Sequence, residues 1–244
     1  MTAQELYRFL NEIAPFETAL EFDNPGLLVG DPEADAGKVL LSLDCTVPAV
    51  QRAKEIGARV ILTHHPVIFN PLKKVMAGSV VWELIQSGIT VISAHTNLDF
   101  AKGGVCDTLC ALVGLEQVTV AEEGLRVGNT APKSAADFAA EVGKTLGCRP
   151  RFTEGKQPVH HMAVCSGSGG SYLEQAARLG CDTLLTGDVK YSGFLDATER
   201  GINLIDAGHF ETEQIILPVL EQRLKAAFAG IETEIFNCNP VKQI

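Results

Sequence analysis

Residues 53–65 read AKEIGARVILTHH. A helical turn ends in glycine, and a β-branched run follows that has no polar alternation. A strand with one wet face alternates apolar and polar residues, whereas a strand buried on both faces is apolar throughout. Such a run directly after a helix indicates a strand of a parallel sheet covered by helices. The pattern recurs along the chain. KVLLSLD (38–44), TVISAH (90–95), HMAVCSG (161–167), DTLLTGD (182–188) and INLIDAG (202–208) are further strands. TVPAVQRAKEIGA (46–58), AGSVVWELIQSG (77–88) and SYLEQAARLG (171–180) are amphipathic helices between them. The expected class is α/β, with largely parallel sheets flanked by helices.

Aligning Gly57 with Gly180 sets AKEIGARVILTHH against AARLGCDTLLTGD, a faint internal repeat. Gly187 and Asp188 then stand where His64 and His65 do, so the second copy keeps the scaffold and lacks the histidine pair. AEEGLRVGNTAPKS (121–134) turns polar and gains Gly and Pro, which marks a boundary between parts of the chain.

The chain has 244 residues, enough to bury a substantial core, and a fifth of them are charged. The formal net charge of −10 argues against general nucleic-acid binding, which needs Lys and Arg to displace counterions, although a locally basic pore stays open. No apolar run approaches the roughly 20 residues that span a bilayer. MTAQELYRFLNEIAPF (1–16) lacks the basic and apolar segments of a signal peptide. It reads as a helix capped by Thr2, with Glu5 completing a capping box. The expected location is the cytoplasm. The seven cysteines form no CxxC pair, and Cys106 and Cys110 stand at helical spacing, so buried reduced thiols are expected.

In open parallel sheets ligands bind beyond the carboxyl ends of the strands. The strand at 60–63 ends in His64 and His65, the strand at 90–93 leads to His95 and Asp99, and the strand at 203–206 leads to His209 and Glu213. Adjacent strand residues face opposite ways, so a shared role for His64 and His65 needs the backbone to leave the strand there. Pro66 favours that departure. A helix starting after Gly208 would put His209 and Glu213 on one face. Three histidines and two carboxylates exceed a closed tetrahedral zinc site and suit two ions sharing a carboxylate. Zinc, iron and manganese all accept this donor set. His95 is a candidate for proton transfer, since imidazole titrates near neutrality; orienting Asp99 or a neighbour is the equal alternative. Asp44 and Asp206 read as carboxylates that support the ligands. The Gly-rich CSGSGGSYLEQ (165–175) matches neither a P-loop nor GxGxxG, and reads as a tight strand-to-helix turn.

Together EFDNPGLLVG (21–30), SLDCT (42–46), THHP (63–66), SAHTNLD (93–99) and DAGHFETE (206–213) resemble the Nif-three-like, dinuclear-metal-centre hexamer family, whose members are labelled GTP cyclohydrolase I type 2 homologues. The resemblance runs over nearly the whole chain, in its short form. Phe22 and Leu28 depart from its first motif, where tryptophan and glutamine are common. It implies two α/β lobes, a metal-binding one at 1–122 plus 206–244 and a second at 123–205. It implies two divalent ions, with His64 and His209 on one, His65 and Asp99 on the other, and Glu213 bridging. It implies a homohexameric ring acting on a small molecule, a nucleotide such as GTP, by hydrolytic opening of the purine ring. The competing expectation is a non-enzymatic ring for metal binding, metal delivery or scaffolding.

Overall fold

The computed structural model describes residues 1–121 and 124–241. It comprises two compact units, Met1–Lys102 with Ile216–Ile244, and Gly103–Ile215.

The first unit opens with α1 (Ala3–Ile13), started by the expected capping box. Thr2 Oγ1 accepts from Glu5 N, and Glu5 Oε2 accepts from Thr2 N at 2.8 Å. Then come β1 (Gly26–Val29), β2 (Lys38–Ser42), α2 (Val47–Ile56), β3 (Val60–Thr63), α3 (Val80–Ser87), β4 (Thr90–Ser93) and α4 (Thr96–Phe100). Thr46 caps α2, and Gly57 ends it at φ 76°, a left-handed turn that suits glycine. β2, β3 and β4 pair in parallel, with β1 antiparallel beside β4. All residues of β3 and β4 are buried. Ile61 and Val91 pack with Ala49 and Ala53 of α2 and Leu84 of α3. This double burial is why the strand residues carry no polar alternation.

The second unit contains α5 (Val105–Leu112), β5 (Glu116–Val120), β6 (Arg126–Lys133), α6 (Ala135–Leu146), β7 (Arg151–Thr153), β8 (Val159–Val164), α7 (Leu173–Arg178), β9 (Thr183–Thr186), α8 (Tyr191–Arg200), β10 (Asn203–Asp206) and α9 (His209–Glu213). Its sheet order is β5-β6-β8-β9-β10-β7. Met162, Leu185 and Ile205 face Phe138 and Val142 of α6, while Ala163, Leu184 and Leu204 face Leu173 of α7 and Ala197 of α8. Only the central β8, β9 and β10 run parallel; β5, β6 and β7 add antiparallel pairs at the flanks. These flanking strands lack continuous apolar runs, and every residue of β5 is exposed. The chain then returns through α10 (Ile216–Ala227) and β11 (Glu232–Ile235), which pairs in parallel with β2 in the first unit.

The unit limits differ from those read in the sequence. The expected limit between 122 and 123 lies outside the described residues. β5 joins the second unit because it pairs with β6, and α5 because it packs on β5, β6, β8 and α9. His209 and Glu213 also belong there: they follow β10, which is hydrogen-bonded between β9 and β7. The crossing back falls at Ile216. β2–α2–β3–α3–β4 and β8–α7–β9–α8–β10 share one connectivity, each with three parallel strands. Gly187 and Asp188 follow β9 as His64 and His65 follow β3. Among the described residues, no helix is long and apolar enough to cross a membrane.

Candidate metal-binding residues

β3 ends at Thr63, so His64 and His65 both lie past the strand and escape its alternation. The departure is held by hydrogen bonds. His64 N donates to Ser42 O and His65 N to Leu43 O at 2.9 Å. His65 O accepts from Thr63 Oγ1 at 2.9 Å and from Ser93 Oγ at 3.3 Å. The rings of His64 and His65 stand 5.1 Å apart, and His95 lies 5.2 Å and 5.5 Å from them. One ring nitrogen from each of the three lies within 4.8 Å of the others, an arrangement that could hold a metal ion.

Each of these imidazoles has Nδ1 against an oxygen. His64 Nδ1 is 2.8 Å from Ala94 O, His65 Nδ1 is 2.8 Å from Asp44 Oδ1, and His95 Nδ1 is 2.8 Å from Asp23 Oδ1. Carbonyl and carboxylate oxygens accept, so Nδ1 carries the proton and Nε2 is the nitrogen that could face a metal ion. Asp44 thus supports a histidine, as its position at a strand end suggested. His64 is fully buried, whereas His65 is partly open.

α4 presents Asp99 one helical turn after His95, its N–H bonded to His95 O at 2.9 Å. Asp99 Oδ1 lies 3.5 Å from His64 Nε2. The resemblance grouped Asp99 with His65; the 3.5 Å approach brings its carboxylate to His64 as well.

Asp23 received no role from the sequence. It takes the His95 ring and also accepts from Thr96 N at 3.0 Å and Thr96 Oγ1, capping the start of α4. Burial alone would raise its carboxyl. The hydrogen bonds from His95 and Thr96, with the imidazole's charge, outweigh that and hold it down at about 2. A carboxyl depressed on folding stabilises above its unfolded value near ~3.9, and the benefit fades as pH falls towards the folded value. Asp23→Ala is therefore expected to cost about 2 kcal/mol at pH 7. Urea melts from pH 7 to pH 2 should show the gap to wild type closing below about pH 4; a gap constant down to pH 2 would refute this account.

In the second unit, Gly208 at φ 87° turns the chain from β10 into α9, and His209 and Glu213 share a face of that helix. His209 Nε2 is 3.0 Å from Glu213 Oε2, and His209 Nδ1 is 2.7 Å from Asp188 Oδ2. Burial alone would lower this imidazole. The hydrogen bonds and charges of Glu213 and Asp188 outweigh burial and push it up to about 9. Asp206, read as a support for the ligands, ties the backbone before them. It accepts from Gly208 N at 3.0 Å, Val189 N at 3.1 Å and the Arg151 guanidinium.

The Gly-rich segment joins β8 to α7, and two of its N–H groups are committed, Gly167 N to Thr212 Oγ1 of α9 and Gly169 N to Thr186 Oγ1 of β9. Gly167 has a further role that its sequence did not reveal. At φ 59°, it runs so close to α9 that a Cβ there would lie 2.0 Å from Glu213 Oε1. The cysteines are all free thiols; burial pushes the half-buried Cys45 and the buried Cys110 up to about 12, while Cys238 is exposed, unlike the buried thiols expected.

Comparison with known proteins gives the same assignment throughout the chain. A relative from Clostridium acetobutylicum, named GTP cyclohydrolase 1 type 2 homolog, is 34% identical over 99% of this chain and 98% of its own. The Staphylococcus aureus hypothetical protein SA1388 has a similar structure, with TM-score 0.91 and 27% identity, covering 100% of this chain and 99% of that one. Reduced HcgD from Methanocaldococcus jannaschii matches with TM-score 0.86 and 30% identity over 96% and 97%. The family model Duf34/NIF3 (NGG1p interacting factor 3) matches residues 1–241. The chain belongs to the Duf34/NIF3 family.

Proposed function

We propose that this chain is a metal-dependent hydrolase with a dinuclear centre ligated by His64, His65, Asp99, His209 and Glu213. The observation that carries the reading is the docking of Nδ1 in all three ligand histidines, on Ala94 O, Asp44 and Asp188. Metal-binding imidazoles are oriented in this way, with the second nitrogen bonded to an oxygen. The contact between Asp99 and His64 supports placing these two on one ion. His65 and His209 are left for the other, with Glu213 shared. Zinc, iron and manganese fit this donor set equally.

Two such ions supply Lewis acidity and an acidified water at neutral pH. His95, its Nδ1 fixed by Asp23, has Nε2 available to take or return a proton during attack on the substrate. The name borne by the Clostridium relative suggests GTP, with water adding at C8 and a ring C–N bond breaking. Gly167→Ala, which drives a methyl into the Glu213 carboxylate, is expected to weaken metal binding about 10–100-fold. Competition against a chromogenic chelator measures this, and unchanged affinity would remove Gly167 from the site.

Mass spectrometry of GTP incubated with the protein and zinc, manganese or ferrous iron tests the activity, beside a His65→Ala control. The expected product is ring-opened, heavier by one water, and absent without metal or without His65. GTP left unchanged by protein holding two ions per chain would reject the cyclohydrolase reading and favour a metal-binding or metal-delivery role. The proposal includes a homohexameric ring, and light scattering should return six chains per particle.

A further inference from the structure

Asp188 combines three features. It follows β9, the place in the repeated scaffold that His65 occupies after β3. Its backbone sits at φ 52°, one of two non-glycine residues with positive φ among the described residues. Its carboxylate, 2.7 Å from His209 Nδ1, is mostly exposed to solvent. Left-handed backbone is unfavourable for a residue with a Cβ, though aspartate tolerates it better than most. Glycine at 188 would relieve the strain, and exposure leaves no packing reason for a larger side chain. Strain kept at an exposed position points to a use for the side chain.

The neighbouring residue makes the contact possible. A Cβ at Gly187 would lie 2.6 Å from Gly208 C and 2.7 Å from His209 N, so the β9–α8 connection passes directly against the backbone that starts α9. The left-handed turn at Asp188 then carries its carboxylate to the His209 ring. In the first unit, Asp44 plays the corresponding part for His65 from the end of β2.

We propose that Asp188 is a positioning residue for metal binding: the half-repeat without the histidine pair contributes, through this strained aspartate, the acceptor that fixes the His209 ring with Nε2 turned to Glu213. The inference rests on His209 being a metal ligand, as in the function proposed above. Asp188 itself does not bind the ion.

Three substitutions separate the side chain from the backbone. Asp188→Gly and Asp188→Ala both remove the acceptor, but only glycine relieves the strain. Asp188→Asn keeps an acceptor oxygen and tolerates the same φ. Chelator-stripped proteins are titrated with zinc against a chromogenic competitor, and melted without metal. The glycine and alanine variants should lose affinity for one ion per chain equally, about 10–100-fold. Their melting temperatures should differ, with glycine higher by about 2 °C or more. Asparagine should keep affinity within a few-fold of wild type. A purely structural role would make affinity follow melting temperature, and that order, or unchanged affinity in Asp188→Gly, overturns the proposal. His209→Ala is the parallel control. If it binds zinc as wild type does, or wild type binds none, the ligand assignment itself fails and takes this inference with it. If His209→Ala loses the ion while Asp188→Gly keeps it, only the inference fails.

Discussion

In the dinuclear centre proposed above, Glu213→Gln is expected to reduce bound metal from two ions per chain to one or fewer, a loss exceeding the about 10–100-fold typical of a supporting group. Glu213 is 3% exposed, and its Oε2 stands 3.0 Å from His209 Nε2. Glutamine preserves the volume, so packing around α9 is unchanged, while the charge that would let one carboxylate serve two cations in the proposed centre is gone. Elemental analysis after dialysis against a weak chelator reads the stoichiometry, and circular dichroism checks the fold. Two ions retained by the folded variant would show that Glu213 is not a shared ligand.

Gly30→Ala should have the largest effect on stability. Gly30 leaves β1 at φ 110°, and a Cβ there would sit 2.4 Å from Thr90 Oγ1 and 2.5 Å from Thr90 Cα. Thr90 cannot yield, because it starts β4 and its Oγ1 both accepts from Asp31 N and donates to Asp31 O. Strained backbone and overlap with main chain place the cost at about 4 kcal/mol or more, a large share of the ~5–15 kcal/mol that stabilises a domain. Gly57→Ala is the matched comparison. It also has positive φ, but a Cβ there meets nothing within 4 Å, so only the backbone penalty of about 1 kcal/mol remains. Equal urea midpoints for the two variants would refute the role assigned to Thr90.

Much of this protein follows from patterns a few residues long. The apolar run at 60–63 announces a strand buried on both faces because alternation is a property of the strand itself. Thr2 and Glu5 announce the start of α1 because a capping box spans only one turn. His209 and Glu213, four residues apart, share a face of α9 because helical geometry demands it. The Duf34/NIF3 motifs are legible for the same reason: four of the five are a strand end and the residues after it, and EFDNPGLLVG contains β1 itself.

What required the folded chain is partnership over distance. Asp23 holds His95 from 72 residues away, and Asp188 holds His209 from 21. Neither aspartate carries a local signature that distinguishes it from a turn residue. Asp99 comes within 3.5 Å of His64 from 35 residues away, through the placement of α4 beside the end of β3. β5, exposed along its length, enters the second sheet through its pairing with β6. The sequence by itself determined the local elements and the residue types at their ends, since backbone periodicity and capping act within a turn or two. The tertiary structure decided which carboxylate faces which imidazole, and to which unit each strand belongs. Those choices depend on hydrogen bonds and close packing between segments far apart in the chain, and they exist only once the sheets have assembled.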